Sequence, residues 1–418
     1  MTPHGVGSTF AAQVSYLLMM TPQLPASSAK ISVEFIALLA MMMSMTALSI
    51  DAILPAFDSI RADIPMSNPN QVQLMVSLLF FGLGIGQLVS GPCSDALGRK
   101  RVLYAGLALF SLGISLCFFA QNLTTLLIGR FIQGLGISGP YIATVSIVRD
   151  KFVGRQMAKI MSMVMMIFIT VPALAPSVGQ TILLFANWRM IFLFYFCYAI
   201  ILGLWIYVRL EETLPAEKRI VFSLTSFAHA FKSVINNRVT TYYTLAMGLM
   251  FGSFIGYLNS SQQIFQDLFS TGKLFTLYFG GLALILGLSS LFNSKFVEKL
   301  GMHFISRRAI LSIISCSMLF LLIQLFVPVS LGMFVGYAVL LFFCFGLVFG
   351  NLNAIAMEPM GRSAGMAAAL IGATSSILSM SLGTSIGQAY NHSTIPLTCG
   401  FIILPSLALM MTILGNKK

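Results

Sequence analysis

Charge is what this chain has least of. Only 9% of its 418 residues are Asp, Glu, Lys or Arg, whereas soluble domains carry about 25%. So few charges cannot clothe a water-exposed surface, and a soluble fold is excluded. No Gly-x-x-x-x-Gly-Lys-Ser/Thr stretch occurs, so the chain carries no sign of ATPase chemistry of its own. The six cysteines (Cys93, Cys117, Cys197, Cys316, Cys344 and Cys399) stand singly in or beside apolar runs, without paired spacing or accompanying histidines. That pattern argues against both a disulfide framework and a metal site. Gly134-Leu-Gly136-Ile-Ser-Gly139 matches a dinucleotide-binding glycine pattern, but it lies inside an apolar run with no strand before it and reads as helix packing.

What is abundant is apolar sequence, 57% of the chain. A membrane-spanning helix needs about 20 mostly apolar residues. Breaks at charge clusters, Pro/Gly and Asn-rich turns place spans near 34–57, 71–92, 101–120, 123–148, 156–182 and 189–209. A second set follows near 239–266, 273–294, 306–327, 331–357, 363–388 and 394–414. The expected fold is all-α integral membrane, twelve transmembrane helices in two six-helix bundles. Its parts are an N-terminal extension (1–30), an N-terminal bundle (31–210), a linker (211–238) and a C-terminal bundle (239–418). The extension has a short apolar run, Phe10 to Met20, with no Lys or Arg before it, and does not read as a secretory signal.

The net charge of +12 belongs to topology. With both termini cytoplasmic, only Arg61, Arg189 and Lys273 fall outside, and Arg130 falls within a span. The rest of the Lys and Arg lie inside, as the positive-inside rule requires, so the charge does not point to nucleic acid. The halves also echo each other: Asp95-Ala-Leu-Gly98 followed by Arg99-Lys100-Arg101 recurs loosely as Glu298-Lys-Leu-Gly301 followed by Arg307-Arg308. Repeated six-span halves with a site between them near mid-membrane are a standard transporter architecture.

Four stretches carry a family resemblance. Gly91-Pro-Cys-Ser-Asp95-Ala-Leu-Gly98-Arg99-Lys100-Arg101 resembles the signature between spans two and three of the major facilitator superfamily. Leu126-Leu-Ile-Gly-Arg130-Phe-Ile-Gln133-Gly134-Leu-Gly136 resembles its fourth-span motif. Val171-Pro172-Ala-Leu-Ala-Pro176-Ser-Val-Gly179 resembles the fifth-span motif of proton-driven antiporters, although Gln180 stands where a second glycine is usual. Ala47-Leu-Ser-Ile-Asp51-Ala-Ile-Leu-Pro55-Ala-Phe57 is similar to the bicyclomycin-resistance-like (Bcr/CflA) drug-efflux branch, as is Met357-Glu358-Pro359 with Gly361, Ala364 and Gly365. One departure from that branch is Val145, where an arginine is common.

The resemblance implies a secondary active transporter, not an enzyme. It would export a small amphipathic compound by alternating access, driven by the proton gradient with no cofactor, as a monomer in a bacterial cytoplasmic (inner) membrane. Export of an endogenous metabolite or siderophore, or inward proton symport, are the competing readings. A transport-dead receptor or scaffold would need no buried acid.

Charges inside a membrane are costly and mark function. Asp51 and Arg130 fall at matching depth in spans one and four, so they can pair. Asp51 then reads as the proton-coupling acid tuned by Arg130, against the plainer reading of a static ion pair. The resemblance implies a conformational latch of Gly91, Asp95, Gly98, Arg99 and Arg101 with Asp150, in which Arg99 pairs with Asp150; interfacial charge balance is the plainer alternative. Pro172 and Pro176, four residues apart, bend span five, and Gly179 admits a close neighbour. Gln133, Tyr141, Tyr257, Asn259, Gln262, Asn351 and Asn353 are the candidate substrate contacts, each of which alone could serve as interhelical glue.

Overall fold

In lipid, backbone polar groups must be satisfied within the segment that carries them, which leaves helices as the economical solution. The structure, a computed structural model, describes residues 32–152, 154–219 and 231–416. Helices and helical turns are the only regular elements among them. The 1–30 extension and residues 220–230 of the linker lie outside the described residues.

The first half comprises α1 (Val33–Asp51), α2 (Leu74–Leu97), α3 (Arg99–Phe118), α4 (Leu123–Lys151), α5 (Gly154–Phe185) and α6 (Arg189–Arg209). The second comprises α7 (Arg238–Gln262), α8 (Phe275–Leu300), α9 (Met302–Phe326), α10 (Leu331–Met357), α11 (Ala364–Gln388) and α12 (Ile395–Gly415). Among the described residues 10 helices are long and apolar enough to cross a membrane. The exceptions are α5, whose qualifying apolar stretch is the shorter Thr170–Phe185, and α7. α7 is polar for a reason: it is buried along nearly its whole length, including Ser253, Asn259, Ser260, Ser261 and Gln262, and so faces protein instead of lipid. In contrast α8 and α9 expose Leu277, Leu284, Leu288, Leu291, Leu319, Leu322 and Leu325, an apolar surface of the kind a bilayer covers.

α1 ends earlier than its apolar run predicts. Pro55 has no N–H to bond the Asp51 carbonyl, so the regular helix stops at Asp51, passes through one tight turn at Leu54–Ala56 and resumes as Phe57–Asp63. The repeat seen in the sequence is geometric as well. Gly98 opens α3 with φ 102° and ψ 158°, and Gly301 opens α9 with φ 81° and ψ 148°. Only glycine takes such angles without strain. Within the first half α4 packs on α2 and α3 and α1 on α5; within the second α7 packs on α10, α11 and α12. The halves meet through α2 with α11 and α5 with α8. The end holding Gly98 and Gly301 is called the basic end below.

Candidate functional site

Asp51 is the last residue of α1 before the break, 4% exposed, and its Oδ1 has no hydrogen-bond partner. Beside it α5 makes its closest approach: a Cβ on Gly179 would overlap the carbonyl oxygen of Ala52. Tyr195 of α6 donates to the Leu48 carbonyl at 3.0 Å, so α5 and α6 both grip α1 next to the acid.

Arg130 is fully buried, and all three of its nitrogens are engaged. Nε donates to the Met75 carbonyl at 3.0 Å, Nη1 to Gln133 Oε1 at 2.8 Å and Nη2 to the Ser49 carbonyl at 2.8 Å. The expected direct pair with Asp51 is therefore not formed; neither residue makes an ion pair among the described residues. The depth match holds nonetheless, since Ser49 lies two residues before Asp51. The guanidinium satisfies its donors on carbonyls of α1 and α2 and on its own helix's Gln133. Asp51 is left as a buried carboxyl whose Oδ1 has no partner, two residues beyond the Ser49 carbonyl that Arg130 holds.

At the basic end, Arg99 is 2% exposed and joins three helices. Its Nε and Nη2 donate to Asp150 at 2.8 and 3.2 Å, and its Nη1 to Asp95 at 2.6 Å and Ser94 at 3.0 Å. All these partners lie in the first half. Arg101 is exposed and outside this cluster, because it lies on the outer face of α3. Gly91 lies against Ala369 of α11, the contact of this motif with the second half. Sequence reasoning missed Glu212. Its carboxylate accepts from the backbone N–H of Arg99 at 3.0 Å and of Lys100 at 3.1 Å, an anion at the N-terminus of α3. Gly98 is needed here twice, for its φ and because a Cβ would come within 2.6 Å of Glu212 Oε2. α5 runs on as helix through Pro172 and Pro176 to Gly179.

A cavity of about 570 Å³ lies between the halves, toward the basic end. Gln87, Tyr141, Ser146, Asn353 and Ser376 supply polar groups, Phe251, Phe349 and Met247 apolar walls, and Asp95 and Arg149 its charged edge. This size suits a drug-like molecule. Of the seven residues expected to contact substrate, Tyr141 and Asn353 line this cavity. The other five are used elsewhere. Gln133 holds Arg130; Asn351 exchanges hydrogen bonds with Asn293 of α8 at 2.9 and 3.2 Å; Gln262 donates to Gln266 at 2.6 Å. Asn259 reaches Ser77 across the halves at 3.1 Å. Tyr257 is buried among Phe254, Phe279 and Phe342. In an apolar helix a polar side chain finds a neighbouring polar group first, and two residues of one helix separated by two positions, such as Asn351 and Asn353, face different neighbours.

With that geometry in place, the family model described as Major Facilitator Superfamily matches residues 31–384. The chain belongs to the major facilitator superfamily. An uncharacterized MFS-type transporter, YdgK of Bacillus subtilis (strain 168), is 33% identical over 357 residues, 83% of this chain and 86% of that one. A bicyclomycin resistance protein homolog of Haemophilus influenzae is 26% identical over 373 residues, 87% of this chain and 91% of its own. Multidrug resistance protein MdtL of Salmonella heidelberg is 34% identical over 187 residues, 45% of this chain and 47% of its own. Among solved structures, the xylose transporter XylE from E. coli superposes with a TM-score of 0.69 at 13% identity, covering 91% of this chain and 96% of that one. These relatives agree with the branch read from α1 and the end of α10, and the superposition shows the shared fold. This superfamily member is a multi-pass membrane transporter and not an enzyme.

Proposed function

We propose that this major facilitator protein exports a small amphipathic, drug-like compound in exchange for protons, by alternating access of two six-helix bundles. In this reading all twelve long helices cross the membrane. The basic end and both termini face the cytoplasm, as the distribution of Lys and Arg favours, and the membrane is a bacterial inner one. The observation that carries the reading is Asp51: a buried carboxyl without an ion pair, at a break in α1, two residues beyond the carbonyl that the fixed Arg130 holds. Intramembrane acids mark proton relays, and discontinuous helices form ion-coupling sites.

No residue of α1 is among those lining the cavity, so coupling runs through helix position and not through direct competition. Protonation of Asp51 would remove a charge beside the α1–α5 contact and let α1 change its packing; release to the cytoplasm would restore it. The relatives named for bicyclomycin and multidrug resistance support an export substrate of drug type. The test is uphill transport of a resistance-panel compound in inverted vesicles under a pH gradient. Asp51→Asn is expected to abolish accumulation while retaining ligand binding. Normal gradient-driven accumulation by that variant would refute the coupling role. Uphill export that survives collapse of both the pH gradient and the membrane potential would refute proton drive altogether.

A further inference from the structure

The end opposite the basic turns is closed by side chains that meet across the two halves in layers. Deepest is Ser77 of α2, whose hydroxyl lies 3.1 Å from Asn259 Nδ2 and 2.6 Å from Thr384 Oγ1. One turn further out, Asn70 Nδ2 donates to the carbonyls of Gln388 and Tyr390 at 3.1 and 2.9 Å, and Gln388 Nε2 returns a bond to the Asn70 carbonyl at 2.7 Å. Gln263 Nε2 donates to Asn70 Oδ1 at 2.9 Å, and Gln73 Nε2 donates to Gln263 Oε1. At the rim Arg61 pairs with Asp267 at 3.1 Å and with Asp58 of its own helix. Asn70, Gln73, Gln263 and Ser77 are buried.

We propose that this carboxamide layer is the outer gate of the transporter, with Asn70 and Gln263 as its central pair and Arg61–Asp267 setting its register. It rests on the alternating-access reading, but on neither proton drive nor the export direction. Three features single it out. Apart from Arg61–Asp58, every bond named joins residues 61–77 of the first half to residues 259–267 or 384–390 of the second. The contrast with the basic end is chemical: there the buried Arg99 ion pairs stay within one half, whereas here the buried contacts that span both are between neutral groups and the Arg61–Asp267 ion pair is kept to the partly exposed rim. Neutral amides suit a contact that must open repeatedly, because the net gain from each hydrogen bond is small and water replaces it on opening. A buried interbundle ion pair would leave two stranded charges when broken.

The test reads accessibility, so a failed gate and a failed transport reading are separable. Ser77→Cys, in a chain with the six native cysteines replaced, is labelled with a membrane-impermeant maleimide in sealed vesicles of both orientations. Labelling is expected only from the side opposite the basic turns, and slowly. Adding Asn70→Ala and Gln263→Ala is expected to speed it about tenfold, the effect of one or two neutral hydrogen bonds lost from the closed state. An unchanged rate would overturn the gate. Should the alanine variants fail to fold, the charge swap decides: Arg61→Glu is expected to speed labelling and Arg61→Glu with Asp267→Arg to return it to the starting rate. A double variant no slower than the single one would overturn the register role.

Discussion

Gly179 of α5 lies against the carbonyl oxygen of Ala52, the residue that follows Asp51, so closely that no Cβ fits between them. The fifth-span motif thus packs on the backbone of the residue next to the first-span acid. Gly179→Ala is expected to push α5 from α1 at a destabilisation of about 1–3 kcal/mol, the usual range for overpacking. Gradient-driven transport should fall further than ligand binding does. Thermal unfolding and vesicle transport measured on one preparation check both, and a variant as stable as the native chain would contradict the contact.

Arg130 serves α1 and α2 through carbonyls, so its loss is structural as well as electrostatic. Arg130→Ala leaves three acceptors in a dry interior and is expected to destabilise by about 3 kcal/mol or more. Arg130→Lys keeps the charge but cannot reach Ser49, Met75 and Gln133 together. It should fold with a lowered melting temperature, intermediate between native and alanine.

Asn351 and Asn353 separate interhelical glue from cavity wall. Asn351→Ala breaks the exchange with Asn293 and is expected to lower stability by about 1 kcal/mol with ligand affinity unchanged. Asn353→Ala should do the reverse, weakening ligand-induced thermal stabilisation while the unliganded protein melts normally. Equal effects on both quantities would remove Asn353 from the binding wall.

Asp267 makes the rim respond to pH. Burial raises its carboxyl above the ordinary carboxylate range, against the downward pull of Arg61 and His392, with Asp58 adding to the rise. Tyr390 faces it as well. A raised value means that the closed rim holds the proton more tightly than an open, hydrated Asp267 does. Its contribution to closure is therefore present at acid pH and lost as pH rises through the Asp267 range. Labelling of Ser77→Cys, normalised to an exposed cysteine, should quicken as pH rises there, and Asp267→Asn should flatten the response. Quickening on acidification would contradict this sign.

The membrane class, the helices, the internal repeat and the family were all legible in the chain itself. Apolar run length is a local property, and Gly98 and Gly301 act through their own backbone angles. Motif residues such as Arg99 and Asp150 could be matched by resemblance. Tertiary structure alone decided which polar groups meet. Asp51 and Arg130 share a depth, yet Arg130 turned to Ser49, Met75 and Gln133. Of seven polar side chains expected in the cavity, Gln133, Asn259, Gln262 and Asn351 hydrogen-bond to neighbours in the protein and Tyr257 is buried among aromatic rings. The run Asn68 to Gln73 showed its polarity in the sequence but not its partners, which lie some 190 to 320 residues away. In a low-dielectric interior a polar atom bonds whatever partner packing brings within about 3 Å, and that partner is a property of the assembled bundles, not of the segment that carries the atom.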